Sequence, residues 1–196
     1  MPLKSRISAQ FEQSGQLHLA LAELLARPIG EAAELIVEAL LNERKVLACG
    51  NGGGAVNAQY FASLLLNRYD VDRPGLAAIA LCENAAALTA IAANTGPDNV
   101  YARQITALGL EGDVFLLICN DGNAANLHAA MNAAGERGMR TIAICGGDGG
   151  RLMELMREKD IHIAIPHDNP ARIHESCVFV LHCLCDAIDY LLLGVN

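Results

Sequence analysis

One pattern constrains this chain more than any other. A short apolar run, a turn rich in glycine or asparagine and a helical stretch follow one another repeatedly. The apolar runs occupy residues 45–49, 76–81, 114–118, 141–144 and 161–165. Each is of strand length and bounded by turn residues. Helical stretches are predicted near residues 56–67, 85–92, 98–108, 124–137, 151–157 and 171–192. Strands that are apolar throughout are buried on both faces, and alternation with helices makes them parallel. The expected fold is therefore α/β, a doubly wound five-stranded parallel sheet in a three-layer sandwich. Two helical patterns precede it, at residues 5–25 and 31–42, with Pro28 between them. The chain reads as one domain, 1–196, with N-terminal helices over 1–43 and the α/β core over 44–196.

Composition narrows the function classes. Hydrophobic residues make up 53% and charged residues 18%, which rules out a largely disordered chain. The net charge is −8 and no dense Lys/Arg run occurs, so direct binding of duplex DNA is not expected. No unbroken apolar run reaches the roughly 18 residues of a membrane span, and the first ten residues lack the apolar core of a secretion signal. The seven cysteines show no scaffold spacing and sit mostly in apolar stretches, as reduced thiols of a cytoplasmic protein do.

Two strand-to-helix loops carry the residue types that hold anions. The first contains Asn51, Gly52, Gly53 and Gly54; the second contains Cys119, Asn120, Asp121, Gly122 and Asn123. Glycines let backbone N–H groups approach an anion, and the helix that follows presents its positive end. Neither loop has the Gly-Lys-Ser/Thr of a nucleotide-phosphate loop. In open α/β sheets ligands bind at the carboxyl ends of strands, where the strand order reverses.

The segments GNGGGA, RPGLAAIAL, LGLEGDVFLLIC, GNAANLHAAMNAA, GDGG and ARIHE follow one another in this order. Together they resemble the phosphoheptose isomerase family of sugar-isomerase (SIS) domains. NAQYFASLLLNR and the late HCLCDAID also resemble the related DnaA initiator-associating proteins. The resemblance implies a homotetramer of doubly wound subunits with phosphosugar sites near subunit interfaces. It also implies binding roles for both loops, for Asn94 and for His174. Against the family pattern, a loop serine is replaced by Gly54, and a hydroxyl-rich second loop by residues 119–124, with Asp121 set where phosphate would lie. Like charges repel, so phosphate binding is expected to be weakened.

The resemblance also implies a metal site at four positions, here Tyr60, Leu64, His174 and His182. Leu64 has no donor atom and a neutral tyrosine is a poor ligand, whereas zinc takes three or four N, S or carboxylate ligands. No metal is therefore expected, with zinc implied only if the chain is an isomerase. His174 and His182 remain as candidate ligands, and His182 and Glu175 as candidate acid–base groups. A replacement site from His174, Cys177, His182 and Cys185 has helical spacing, but packing of these thiols in a core accounts for them more simply. His162 alternates with isoleucines and is expected on the polar face of its strand. The apolar ending offers Leu192 and Leu193 as anchors for a protein partner.

These readings combine into an expected non-catalytic tetramer that binds a DnaA-like replication initiator and promotes its assembly. The alternatives are a phosphoheptose isomerase, converting sedoheptulose 7-phosphate to a heptose 7-phosphate, or a phosphosugar-binding sensor.

Overall fold

A computed structural model describes residues 2–194. It places α1 at Leu3–Leu41, β1 at Val46–Gly50, α2 at Gly53–Leu66, β2 at Ala78–Ala80, α3 at Ala85–Thr95 and α4 at Ala102–Leu108. There follow β3 at Val114–Cys119, α5 at Ala125–Glu136, β4 at Arg140–Gly146, β5 at Ile161–Ile165 and α6 at Pro170–Leu193. The five strands are all parallel, in the order β2-β1-β3-β4-β5. The order reverses between β1 and β3, so the loops after these two strands flank the crevice where such sheets bind ligands.

The central strands β1, β3 and β4 are almost wholly apolar because each feeds two cores, whereas the edge strands β2 and β5 feed only the first. Val46, Ala48, Val114, Leu116, Ile118, Ile142, Ile144, Ile163 and Ile165 face a layer formed by α1, α2 and α6. Their alternating neighbours Leu47, Cys49, Phe115, Leu117, Cys119, Ala143 and Cys145 face a second layer containing α4 and α5. Period-two geometry sends successive side chains to opposite faces, and here both faces are covered.

Several boundaries differ from the sequence reading. Residues 5–25 and 31–42 form one helix of 39 residues that runs through Pro28. A proline forfeits one backbone bond, but Leu21, Leu25, Ala32, Ala33, Leu35 and Ile36 bury one continuous face on both sides of it. The stretch 98–108 divides into a 3-10 turn, Pro97–Asn99, and α4. Residues 151–157 hold a 3-10 segment, Gly150–Leu155, rather than an α-helix. His162 is half-buried rather than on an open polar face, and burial lowers its pKa. By mean hydropathy and length α6 could cross a membrane. Here it buries Ile173, Cys177, Val180, Leu181, Leu184, Cys185 and Ile188 within the core shared with α1, α2 and the sheet.

Candidate functional site

The crevice is built first from glycine. A Cβ on Gly54 would collide with the carbonyl oxygen of Ile118, and one on Gly50 with Ile118 O and the Gly54 backbone. The turn out of β1 is therefore pressed against the end of β3. Tyr101 is buried and donates its hydroxyl to Gly50 O (2.6 Å), bracing the turn from the opposite layer. Burial, with the thiols of Cys49 and Cys82 adding, pushes its phenol up. Gly52 has φ +54°, a conformation that side chains disfavour, and it leads into α2.

The two candidate loops are joined by a pair of amides. Asn51 Nδ2 donates to Asn126 Oδ1 while Asn126 Nδ2 donates to Asn51 Oδ1, both at 2.9 Å. Asn126 was not among the sequence candidates. It lies in the first turn of α5, and no local motif marks it.

Beyond loop 1, α2 and α6 form a seam. At its top His174 lies over Gly53, with Nδ1 3.4 Å from Nδ2 of the buried Asn57. Further along, Tyr60 Oη lies 2.9 Å from His182 Nε2. The rings of Tyr60 and Tyr69 stand 5.7 and 5.6 Å from the imidazole. At the bottom Arg73 Nε meets Asp189 Oδ1 at 2.5 Å, and the same guanidinium donates to Leu65 O (2.8 Å) and Leu64 O (3.1 Å). Arg73 thus caps the end of α2 and ties it to α6, with side-chain exposures of 1% for Arg73 and 6% for Asp189.

The second loop faces a different space. Gly122 packs so closely on Gly149 that a Cβ there would strike the Gly149 carbonyl. Asp121 is exposed and its Oδ1 accepts the Asn123 N–H (3.1 Å). A cavity of about 770 Å³ opens beside it, lined by Asn120, Asp121, Asn123, Asp148, His167 and Asp168 among others. At the ends of β3 and β4, each next to a cavity-lining residue in the chain, the buried thiols of Cys119 and Cys145 are 3.1 Å apart. The Cys145 thiol holds the Cys119 thiol below its ordinary range.

Several candidates fall elsewhere. Glu175 pairs with Arg172 Nη2 (3.1 Å), and Arg172 in turn donates to Gln10 O on α1 (2.9 Å), so this carboxylate serves the α1–α6 contact instead of His182. Asn94 is exposed on α3 and makes none of the hydrogen bonds that join the loops. Leu192 packs partly against the core while Leu193 is 42% exposed. Val195 and Asn196 lie outside the described residues.

The zinc implied by the isomerase alternative does not fit the residues present. Eight residues of helix separate His174 from His182, about 12 Å along α6. Leu64 packs against the core, and His182 Nε2 already has Tyr60 as a partner. Cys177 and Cys185 are buried, and burial pushes each thiol up to about 12. Among the described residues no group of three or more His, Cys, Asp or Glu could hold a metal ion.

Comparison with known proteins corrects the expected function. A family model for the SIS domain matches residues 10–146. The chain is 48% identical over 196 residues to a phosphoheptose isomerase of Azoarcus sp. (strain BH72), covering 100% of both. It is 49% identical over 196 residues to that of Aromatoleum aromaticum, covering 100% of this chain and 99% of the relative. The phosphoheptose isomerase structure from Francisella tularensis superposes with a TM-score of 0.93 at 40% identity, covering 96% of this chain and 99% of the other. That from Neisseria gonorrhoeae does so with a TM-score of 0.91, at the same identity and coverage. The non-catalytic, initiator-binding expectation is overturned: it leaned on missing ligand types and a short late motif, whereas similarity to proteins named as isomerases runs the whole length. With its matching family model and full-length relatives, the chain belongs to the SIS-domain family, among the phosphoheptose isomerases.

Proposed function

We propose that this chain is a phosphosugar isomerase of the cytoplasm that converts sedoheptulose 7-phosphate to a heptose 7-phosphate. The observation that carries this reading is the 48% identity over 196 residues with a phosphoheptose isomerase, covering both proteins completely. The crevice agrees with it. The start of α2 offers backbone N–H groups and a positive helix end to a phosphate, with the Asn51 and Asn126 amides beside it. From Gly53 to Tyr60 the seam runs about 10 Å along α2. An extended seven-carbon chain anchored by its phosphate at the first end reaches His182 at the second.

Ketose–aldose conversion moves one proton from C1 to C2 and one hydroxyl proton from O1 to O2. A neutral imidazole can take the carbon-bound proton and return it to the neighbouring carbon, work that general acid–base groups do for a gain of about 10²–10⁴ in rate. His182 fills that role, and Tyr60 fixes its ring through the 2.9 Å contact. The same reading includes self-assembly: Leu3, Ile7, Phe11, Leu19 and Leu24 leave α1 with an exposed apolar surface that suits another subunit.

The test is conversion of sedoheptulose 7-phosphate followed by NMR, with isothermal titration of the same sugar phosphate alongside. Turnover supports the reading. Saturable binding without turnover would make the chain a phosphosugar sensor, and absence of both would sink the phosphosugar reading altogether.

A further inference from the structure

The seam holds, at the positions where the family resemblance implies a metal, a closed set of side chains. Tyr60 Oη and His182 Nε2 are 2.9 Å apart. Tyr60 meets the imidazole edge-on and Tyr69 lies tilted against it. One turn along α2 from Tyr60, Leu64 packs against the core. The carboxylate of Asp189 is taken by Arg73. His174 sits two turns away, over Gly53.

We propose that the Tyr60–His182 pair replaces a metal centre, so that this seam takes up no zinc and His182 works as a metal-free imidazole held in place by Tyr60. A zinc ion at His182 Nε2 would have to break the bond to Tyr60 and then find two or three further donors. On the α2 side it would meet a phenol ring and a leucine; on the α6 side the nearest acidic group, Asp186, is exposed one turn away. The pair supplies what a metal ligand shell otherwise gives a catalytic histidine, namely a fixed ring orientation. Tyr60 is a positioning residue here, acting through His182. The catalytic half of this proposal rests on the isomerase reading; the exclusion of zinc does not.

The experiment has two arms. In the first, the full chain is purified without chelator, its metal content is measured by plasma mass spectrometry, and zinc chloride alone is titrated calorimetrically. Substoichiometric metal and no saturable zinc binding are expected. A Tyr60→His/Leu64→Glu double variant should gain zinc affinity by roughly 100-fold, the scale on which ligand-shell changes act. One zinc per wild-type chain, lost in His182→Ala, overturns the proposal, and this result needs no folded double variant. In the second arm, turnover is measured with and without a chelator, and Tyr60→Phe is compared with wild type. Unchanged turnover under chelator, with a Tyr60→Phe loss confined to kcat and a displaced His182 ring resonance in NMR, is expected. Turnover abolished by chelator and restored by zinc overturns the proposal. If no sugar phosphate turns over or binds, the isomerase reading fails while the zinc titration still decides the metal question.

Discussion

The α2–α6 seam, which starts at the carboxyl end of the sheet and runs back along its helical layer, and the cavity over the ends of β3–β5 are built in opposite ways. The seam is closed by rungs between two helices: His174 over Gly53, Tyr60 on His182, and Arg73 on Asp189. The cavity is open, about 770 Å³, and lined by Asp121, Asp148 and Asp168. The seam pairs most of its polar side chains across the two helices, leaving Asp189 Oδ2 without a partner, whereas the cavity presents carboxylates to whatever enters. The carboxylates disfavour a phosphate deep in the cavity, and the reciprocal amides of Asn51 and Asn126 tie the first loop to the helix that follows the second.

That contrast can be broken experimentally. The largest effect is expected at His182: His182→Ala should lower kcat for sedoheptulose 7-phosphate by about 10²–10⁴-fold with an unchanged circular dichroism spectrum, and near-normal turnover would remove the seam from catalysis. Next comes Arg73→Ala, which leaves Asp189 buried and unpaired and should cost about 3–5 kcal/mol in urea unfolding; a loss below about 1 kcal/mol would show that the lower rung does not hold the seam shut. Gly54→Ser should cost about 1–3 kcal/mol, because the added Cβ meets Ile118 O. A neutral result would mean that loop 1 can take a hydroxyl without moving. Asp121→Asn removes one exposed like charge from the neighbouring loop and should tighten sugar-phosphate binding by no more than about twofold, since water screens charges that are not in contact. Looser binding would put the phosphate beside Asp121 through some bridging group. The smallest effect is in thiol labelling. Cys119, held low by Cys145, should react with iodoacetamide at lower pH than Cys177 and Cys185, whose thiols burial pushes up to about 12. The reverse order, read by peptide mass spectrometry, would invert the assignment of the open and closed regions.

The central strands were legible because a strand feeding two cores is apolar at nearly every position, as residues 114–118 are, and residues 161–165 from the alternation of isoleucines that feed one core. The loops were legible from glycine spacing. What escaped the sequence were pairings between distant positions. Arg73 and Asp189 lie 116 residues apart, Asn51 and Asn126 lie 75 apart, and neither pair has a local signature. Tyr60 was weighed only as a metal ligand, a role for which a phenol is poor, and so its contact with His182 went unseen. Pro28 was read as a break because local propensity favours one; burial along the whole face of α1 outweighs it. The function was misjudged for a related reason. Counting ligand types treats the missing metal as a missing activity, while the full-length similarity to isomerases points the other way.

The contact of α1 with α6 has a consequence for how the molecule is made. Arg172 reaches back 162 residues to Gln10 O, so α1 packs against a helix that is synthesised much later. At ordinary synthesis rates α1 waits on the order of ten seconds for its neighbour. During that time the part of α1 that packs on α6 is uncovered, although its contacts with β3 and β5 form earlier. Until α6 arrives, that part of α1 is an apolar surface open to aggregation.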